Sequence, residues 1–463
     1  DQAEAGAPTP AAHLDPGDES IPFYGFCPEE GTAPQGSPHP QLFELARVHS
    51  EELLDRFVAM RRARRGSKGL REGLRDVLAA RDVDAALAKL AAAPDRFEGP
   101  FDYARGAAVL LGMRALGKNP QLALQRGRYA TAAAVGPDGR RHEVDPAAHA
   151  LVALAARTLG DPKVERTALR NARVLDPEEP AFNLALGQNL AHTPHVAEAI
   201  DALDGYLRST RDDVGSAQLR ARLATARDIQ REYELHHRGV VTLQAAPGAL
   251  PEDMDAPELT ALLQQSLEEA AEMLGMRPRP ELHAIVYRDR SELLATTCVP
   301  TWSAGVFDGT LRLYAGSLKD PAARRRVVRH EVLHAQLRAG RFPAPHWFHE
   351  GVAQHFAEET RRAHLRSYAM MVDNRTYIPF ASLEGSFLVI NRGGDARLAY
   401  HQSLAMVELM IDRAGKRAIA HAVDYLRRDG DPKDLLEYVT APRPVDGDDL
   451  LSYLSRKLRS QPR

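Results

Sequence analysis

The chain has 463 residues, too many for one ordinary hydrophobic core, so two or three domains are expected. Hydrophobic residues are 44% and charged residues 27% of a chain with net charge -3, a globular composition that excludes a broadly basic nucleic-acid binder. No apolar run approaches the ~18 residues of a membrane span, and two cysteines, Cys27 and Cys298, are too few for a disulfide scaffold.

Residues 1–39 are rich in Ala, Pro, Gly and acid and read as a flexible tether. A chain that opens on Asp1 behind such a tether is expected to be exported, to the periplasm or envelope of a bacterium. The excess of Arg over Lys and the abundance of Ala accord with a GC-rich bacterial genome. Cys27 and Cys298 can pair in an exported chain, although two unrelated thiols is the simpler reading. The basic runs Arg61-Arg62-Ala63-Arg64-Arg65 and Arg324-Arg325-Arg326 read as solvated helix faces.

Residues 40–235 read as helix after helix, with apolar residues three and four apart, as in Leu42, Leu45, Leu53, Leu54 and Val58. Breakers separate the helices at Gly66, Asp95, Asn119-Pro120, Gly160-Asp161-Pro162 and Asp176-Pro177. Spacing near 34 residues makes roughly 100–215 resemble degenerate tetratricopeptide repeats, and an irregular helical array is the alternative. Such an array offers a surface to a protein partner.

The pattern changes after residue 236. Gly239–Gln244 and Leu282–Arg288 read as strands, and His236-His237 as a helix end. Between the strands an amphipathic helix runs from Pro257 to Met276, capped by Asp255 and ended by Gly275. Asp308-Gly309 between Val306-Phe307 and Thr310–Tyr314 signals a hairpin. A helix over Ala322–Arg338, stopped by Gly340, closes a segment of sheet and helix at 236–340, and 341–463 is helical. Strands followed by helices make the whole an α+β chain.

The chemistry is concentrated in Arg329-His330-Glu331-Val332-Leu333-His334. On a helix, His330 and His334 share a face and can offer two imidazoles to one metal ion. Glu331 is placed to act on a water at that metal. A catalytic zinc needs a third protein ligand and an open fourth position. Glu350 in His346-Trp347-Phe348-His349-Glu350-Gly351-Val352-Ala353 is the candidate, and His346, His349 and His355 are its rivals. Small Gly351 and Ala353 allow a close helix crossing.

These paired motifs resemble the thermolysin-like gluzincin clan, and most of all the bacterial peptidase MA-like domains found behind tetratricopeptide repeats. The resemblance spans roughly residues 235–430. It implies one Zn2+ per chain on His330, His334 and Glu350, and a zinc metallopeptidase that hydrolyses peptide bonds with Glu331 as general base. It also implies a downstream oxyanion donor, here Tyr400 at the head of a helix, with His401 as runner-up. The alternative is a weak or inactive peptidase fold that serves as a peptide- or protein-binding scaffold through its repeats. An exposed edge at Thr310–Tyr314 would let an extended peptide substrate pair with the sheet. Neither a nucleic-acid partner nor a membrane span is expected.

Overall fold

The computed structural model describes residues 9–10, 40–63, 66–98, 101–132, 144–297, 304–340, 342–358, 361–385, 387, 393–442 and 445–460. Cys27, Cys298, Trp302 and nearly all of the expected tether lie outside them. The chain is mostly helical with a small mixed sheet, and it divides between Ala224 and Thr225 into two compact units.

The first unit is a helical array. Its elements are α1 (Pro40–Arg62), α2 (Lys68–Leu78), α3 (Val83–Ala92), α4 (Tyr103–Ala115) and α5 (Pro120–Thr131). They are followed by α6 (Pro146–Leu159), α7 (Pro162–Leu175), α8 (Pro180–Leu190), α9 (Val196–Ser209) and most of α10 (Val214–Ile229). The same device starts several of them. Asn119, Asp145, Asp161 and Glu179 each accept a backbone N–H through their side chains, with proline in the following first turn. Proline lacks the N–H that this position would leave unpaired, and its fixed φ suits the helix. Successive helices pack as neighbours, with α4 on α5, α6 on α7 and α8 on α9, while α1 lies against α4, α6 and α8. Ion pairs Arg170–Glu198 and Arg173–Asp201 tie α7 to α9. One departure from the all-helical expectation is a two-residue antiparallel pair, Phe97–Glu98 with Phe101–Asp102.

The second unit opens with strands β1 (Glu234–Arg238) and β2 (Val241–Ala245), which form an antiparallel hairpin. His236 and His237, expected at a helix end, therefore lie in a strand. Helix α11 (Ala256–Leu274) crosses over to β3 (Leu282–Tyr287), which is parallel to β2. A capping box at Asp255 and Glu258 starts α11, and Gly275 ends it in the left-handed region. After α12 (Arg290–Thr296) come β4 (Gly305–Phe307) and β5 (Leu311–Tyr314), the two arms of the expected hairpin. The sheet order is β1-β2-β3-β5-β4. Here the structure corrects the sequence reading: Thr310–Tyr314 is not an edge. Strand β5 pairs with β3 on one side and β4 on the other, so Gly305–Phe307 stands at that end of the sheet among the described residues, with β1 at the other. A hairpin signal says which two strands pair but not which arm meets the rest of the sheet.

Beyond the short α13 (Ala315–Leu318) lies α14 (Pro321–Ala339), capped by Asp320. Two of its faces are apolar. Val328, Val332 and Ala335 pack into the core under the sheet, while Leu333 and Leu337 join a second core formed with the C-terminal helices. Those helices are α15 (His346–Phe356), α16 (Arg361–Asp373), α17 (Gly393–Ala414), α18 (Ala418–Arg427), α19 (Leu435–Thr440) and α20 (Gly447–Arg459). Among the described residues, no helix is long and apolar enough to cross a membrane.

Candidate metal centre

Helix α14 is fixed at both ends by polar contacts. Near its start, Arg324 is buried and forks onto Asp253 at 2.9 Å through two nitrogens, so this arginine of the basic run is not on a solvated face. Near its end, the Gln336 amide donates to the Arg277 carbonyl at 2.7 Å and accepts from the Arg279 N–H at 3.0 Å. Between them, Arg329 donates from Nε to the Phe356 carbonyl at 2.8 Å and lies 3.9 Å over the Phe356 ring. It also pairs with Glu269 of α11. One arginine thus ties the helix that carries the histidines to both α15 and α11.

Helix α15 crosses α17 closely because Gly351 has no side chain. A Cβ there would run into the Ser403 carbonyl and come within 2.7 Å of Val407 Cγ2. This crossing sets the height at which Glu350, one residue earlier, faces α14.

The structure brings His330, His334 and Glu350 together: one donor atom from each lies within 4.8 Å of the others. The two Nε2 atoms are 3.1 Å apart. Glu350 Oε2 is 3.4 Å from His330 Nε2, and Oε1 is 3.6 Å from His334 Nε2. Donors at ordinary zinc bond lengths in a tetrahedron stand roughly 3.4 Å apart, so the residues fit that ion. Burial opposes ionisation of Glu350, but the imidazoles of His334 and His330 outweigh it and hold the carboxyl well below its usual range. An anionic carboxylate facing two imidazoles is the donor set that zinc prefers.

Glu331 is one step round α14 and is buried. A Cβ at Gly305 would lie 3.3 Å from Glu331 Cγ and closer still, 2.8 Å, to Leu313 Cδ2, so the stem of the Glu331 side chain packs against this strand. The sequence reading passed over Gly305, since neither its edge position nor its neighbour in α14 can be read from residue spacing.

The rival ligands fall outside the three-donor cluster. His346 Nε2 lies 3.7 Å from Glu350 Oε1, and the His349 ring stacks on His334 with centroids 6.2 Å apart. Both are buried, and burial holds the His346 imidazolium pKa down to about 4 and that of His349 well below its usual value. The His355 pKa is lowered by burial and feels Glu408 and Lys457.

Tyr400 does not open a helix as expected, because α17 begins at Gly393, about two turns earlier. Its ring packs edge-on against Phe387 with centroids 5.3 Å apart, and Phe387 in turn meets His346 at 4.2 Å. Tyr400 therefore belongs to the wall beside Glu350, while the metal cluster itself is built from α14 and α15 alone. His401 points elsewhere: Ser367 Oγ is 2.6 Å from its Nδ1, and its ring meets His364. Gln354, not singled out from the sequence, donates to the Glu350 carbonyl at 3.0 Å and the Tyr400 carbonyl at 2.8 Å, bracing α15 against α17.

No protein-family model matches the chain, and no curated protein matches it.

Proposed function

We propose that this chain is a zinc-dependent peptidase of gluzincin-like plan, preceded by a degenerate array of tetratricopeptide-like hairpins. The observation that carries the reading is the convergence of His330, His334 and Glu350 with Glu331 set against the sheet's edge strand. Zinc held by the three ligands supplies a Lewis acid that polarises a carbonyl and acidifies a water. Glu331 takes the proton from the attacking water and delivers it to the leaving nitrogen. Among the described residues Gly305–Phe307 ends the sheet, and a peptide that paired with it as an added strand would run beside the strand against which the Glu331 stem packs. Tyr400, on the wall formed with Phe387 and His346, is the proposed oxyanion donor. The helical unit is read as a surface for a protein partner; α1 already covers α4, α6 and α8, so the partner would use the other helices. An exported, periplasmic or envelope setting remains part of the proposal.

The test pairs metal analysis with turnover. Purified wild type should carry close to one zinc, and a diverse peptide library should be cleaved by wild type and spared by Glu331→Gln. A zinc-loaded wild type that cleaves nothing, with peptide affinity equal to that of Glu331→Gln, would establish the binding-scaffold reading instead.

A further inference from the structure

We propose that His346 is a positioning residue for the metal ligand Glu350: an imidazole N–H faces carboxylate oxygen Oε1 and keeps the carboxylate turned toward His330 and His334. The inference rests on the metal-site reading above and adds a residue that the ligand motif does not contain.

Three observations carry it. His346 and Glu350 are one helical turn apart on α15, and Nε2 of the first lies 3.7 Å from Oε1 of the second. That oxygen is shared, because His334 Nε2 lies 3.6 Å from it on the other side. The 3.7 Å separation exceeds a hydrogen bond, so the His346 contact is a charge–dipole attraction on Oε1, whereas His334 Nε2 as a ligand would turn its lone pair to the ion. Second, His346 is held from behind. Its backbone N–H donates to the Glu384 carbonyl at 3.0 Å, and its ring sits on Phe387. Third, only 4% of the residue is exposed. An imidazole in an apolar wall loses hydration that a phenyl ring would not miss. The placement makes sense when the ring's polar edge has a task, and the group it faces is the Glu350 carboxylate.

His346 stays outside the cluster of mutually close donors, so it acts on the metal through Glu350. Hydrogen-bonded partners of metal ligands commonly contribute about 10–100-fold in metal affinity, and this longer contact is expected at the low end, about 10-fold. A neutral ring with its proton on Nε2 serves this role, since a carboxylate accepts and does not donate.

The test is zinc affinity of the full chain, measured by competition with a chromophoric zinc chelator. His346→Phe keeps a ring against Phe387 and removes the N–H; it should bind zinc about 10-fold more weakly, while the metal-free thermal midpoint stays near wild type. His346→Gln places an amide N–H near the former Nε2 and should recover affinity to within about threefold of wild type. X-ray absorption on the zinc-loaded wild type should count two imidazoles. His346→Phe with wild-type zinc affinity would overturn the inference, and so would a third imidazole on the wild-type ion that His346→Phe removes, which would make His346 a ligand. A wild type that takes up no zinc would sink the metal reading itself, an outcome distinct from a zinc-binding wild type matched by His346→Phe.

Discussion

The two units differ in one set of their polar side chains. In the helical unit several buried polar groups serve their own helix ends and near neighbours. Asp102 caps α4 and lies near Arg96 and Arg105. Glu165 pairs with Arg157 at 3.1 Å, and the Asn183 amide donates to the carbonyls of Pro177 and Glu179. In the second unit buried Arg324, Arg329 and Gln336 likewise fix α14, whereas half-buried His330 and His334 meet buried His346 and Glu350 between α14 and α15. Burying a carboxylate such as Glu350 costs several kcal/mol in general unless it is paired. The contrast separates buried polar groups that build a fold from those assembled for a ligand.

The largest expected effect breaks that comparison at its centre. His334→Ala should lose most of the roughly one zinc per chain, because two donors and a carboxylate cannot be replaced by two groups alone. Zinc content by atomic spectroscopy decides it, and a variant that retains full zinc would remove the cluster from consideration. Glu331→Gln comes next: zinc content should hold, and kcat on a cleaved peptide should fall roughly 10²–10⁴-fold. Undiminished turnover would take the general-base role from Glu331. Tyr400→Phe should lower kcat by about 10²–10³-fold, the range of other oxyanion donors, with zinc content unchanged. Normal turnover would leave the Tyr400 ring as wall packing against Phe387.

Much of the second unit was legible because its signals are local. Asp255 and Gly275 bracket α11, Asp308-Gly309 turns the hairpin, and His330 with His334 need only a helix to share a face. Glu350 was legible as a candidate because its helix, starting at His346, is short and marked by Pro345. What stayed hidden depends on contacts distant in sequence. That end of the sheet is set by β3 pairing with β5, and α17 begins at Gly393-Gly394, residues that read as a breaker and not as a helix start. That His346 faces Glu350 and stays outside the three-donor cluster depends on how α15 is rotated against α14. Helix spacing alone left three histidines as rivals.

A smaller effect distinguishes the close crossing from the donors it positions. Gly351→Ala pushes a methyl group against the Ser403 carbonyl and Val407, and overpacking of this kind costs about 1–3 kcal/mol. Chemical denaturation should report that loss, together with weakened zinc binding, because moving α15 moves Glu350. A stable variant with unchanged zinc affinity would show that the crossing does not set the carboxylate's place.

The smallest expected effect lies in the helical unit and tests whether its polar groups are local. Asp161 accepts the Val164 N–H at 3.0 Å and starts α7 with Pro162 behind it. Asp161→Ala leaves that N–H without its cap, a change worth about 1 kcal/mol. Nothing in the cap reaches a ligand, so the loss should appear as faster amide hydrogen exchange in the first turn of α7 and the helices packed on it. Residues 321–356, which carry the metal cluster, should keep their exchange rates, and zinc affinity should match wild type. Faster exchange at 321–356, or weaker zinc binding, would mean that the two units are energetically coupled. The division between fold-building and ligand-holding polar groups would then have to be drawn within one cooperative body.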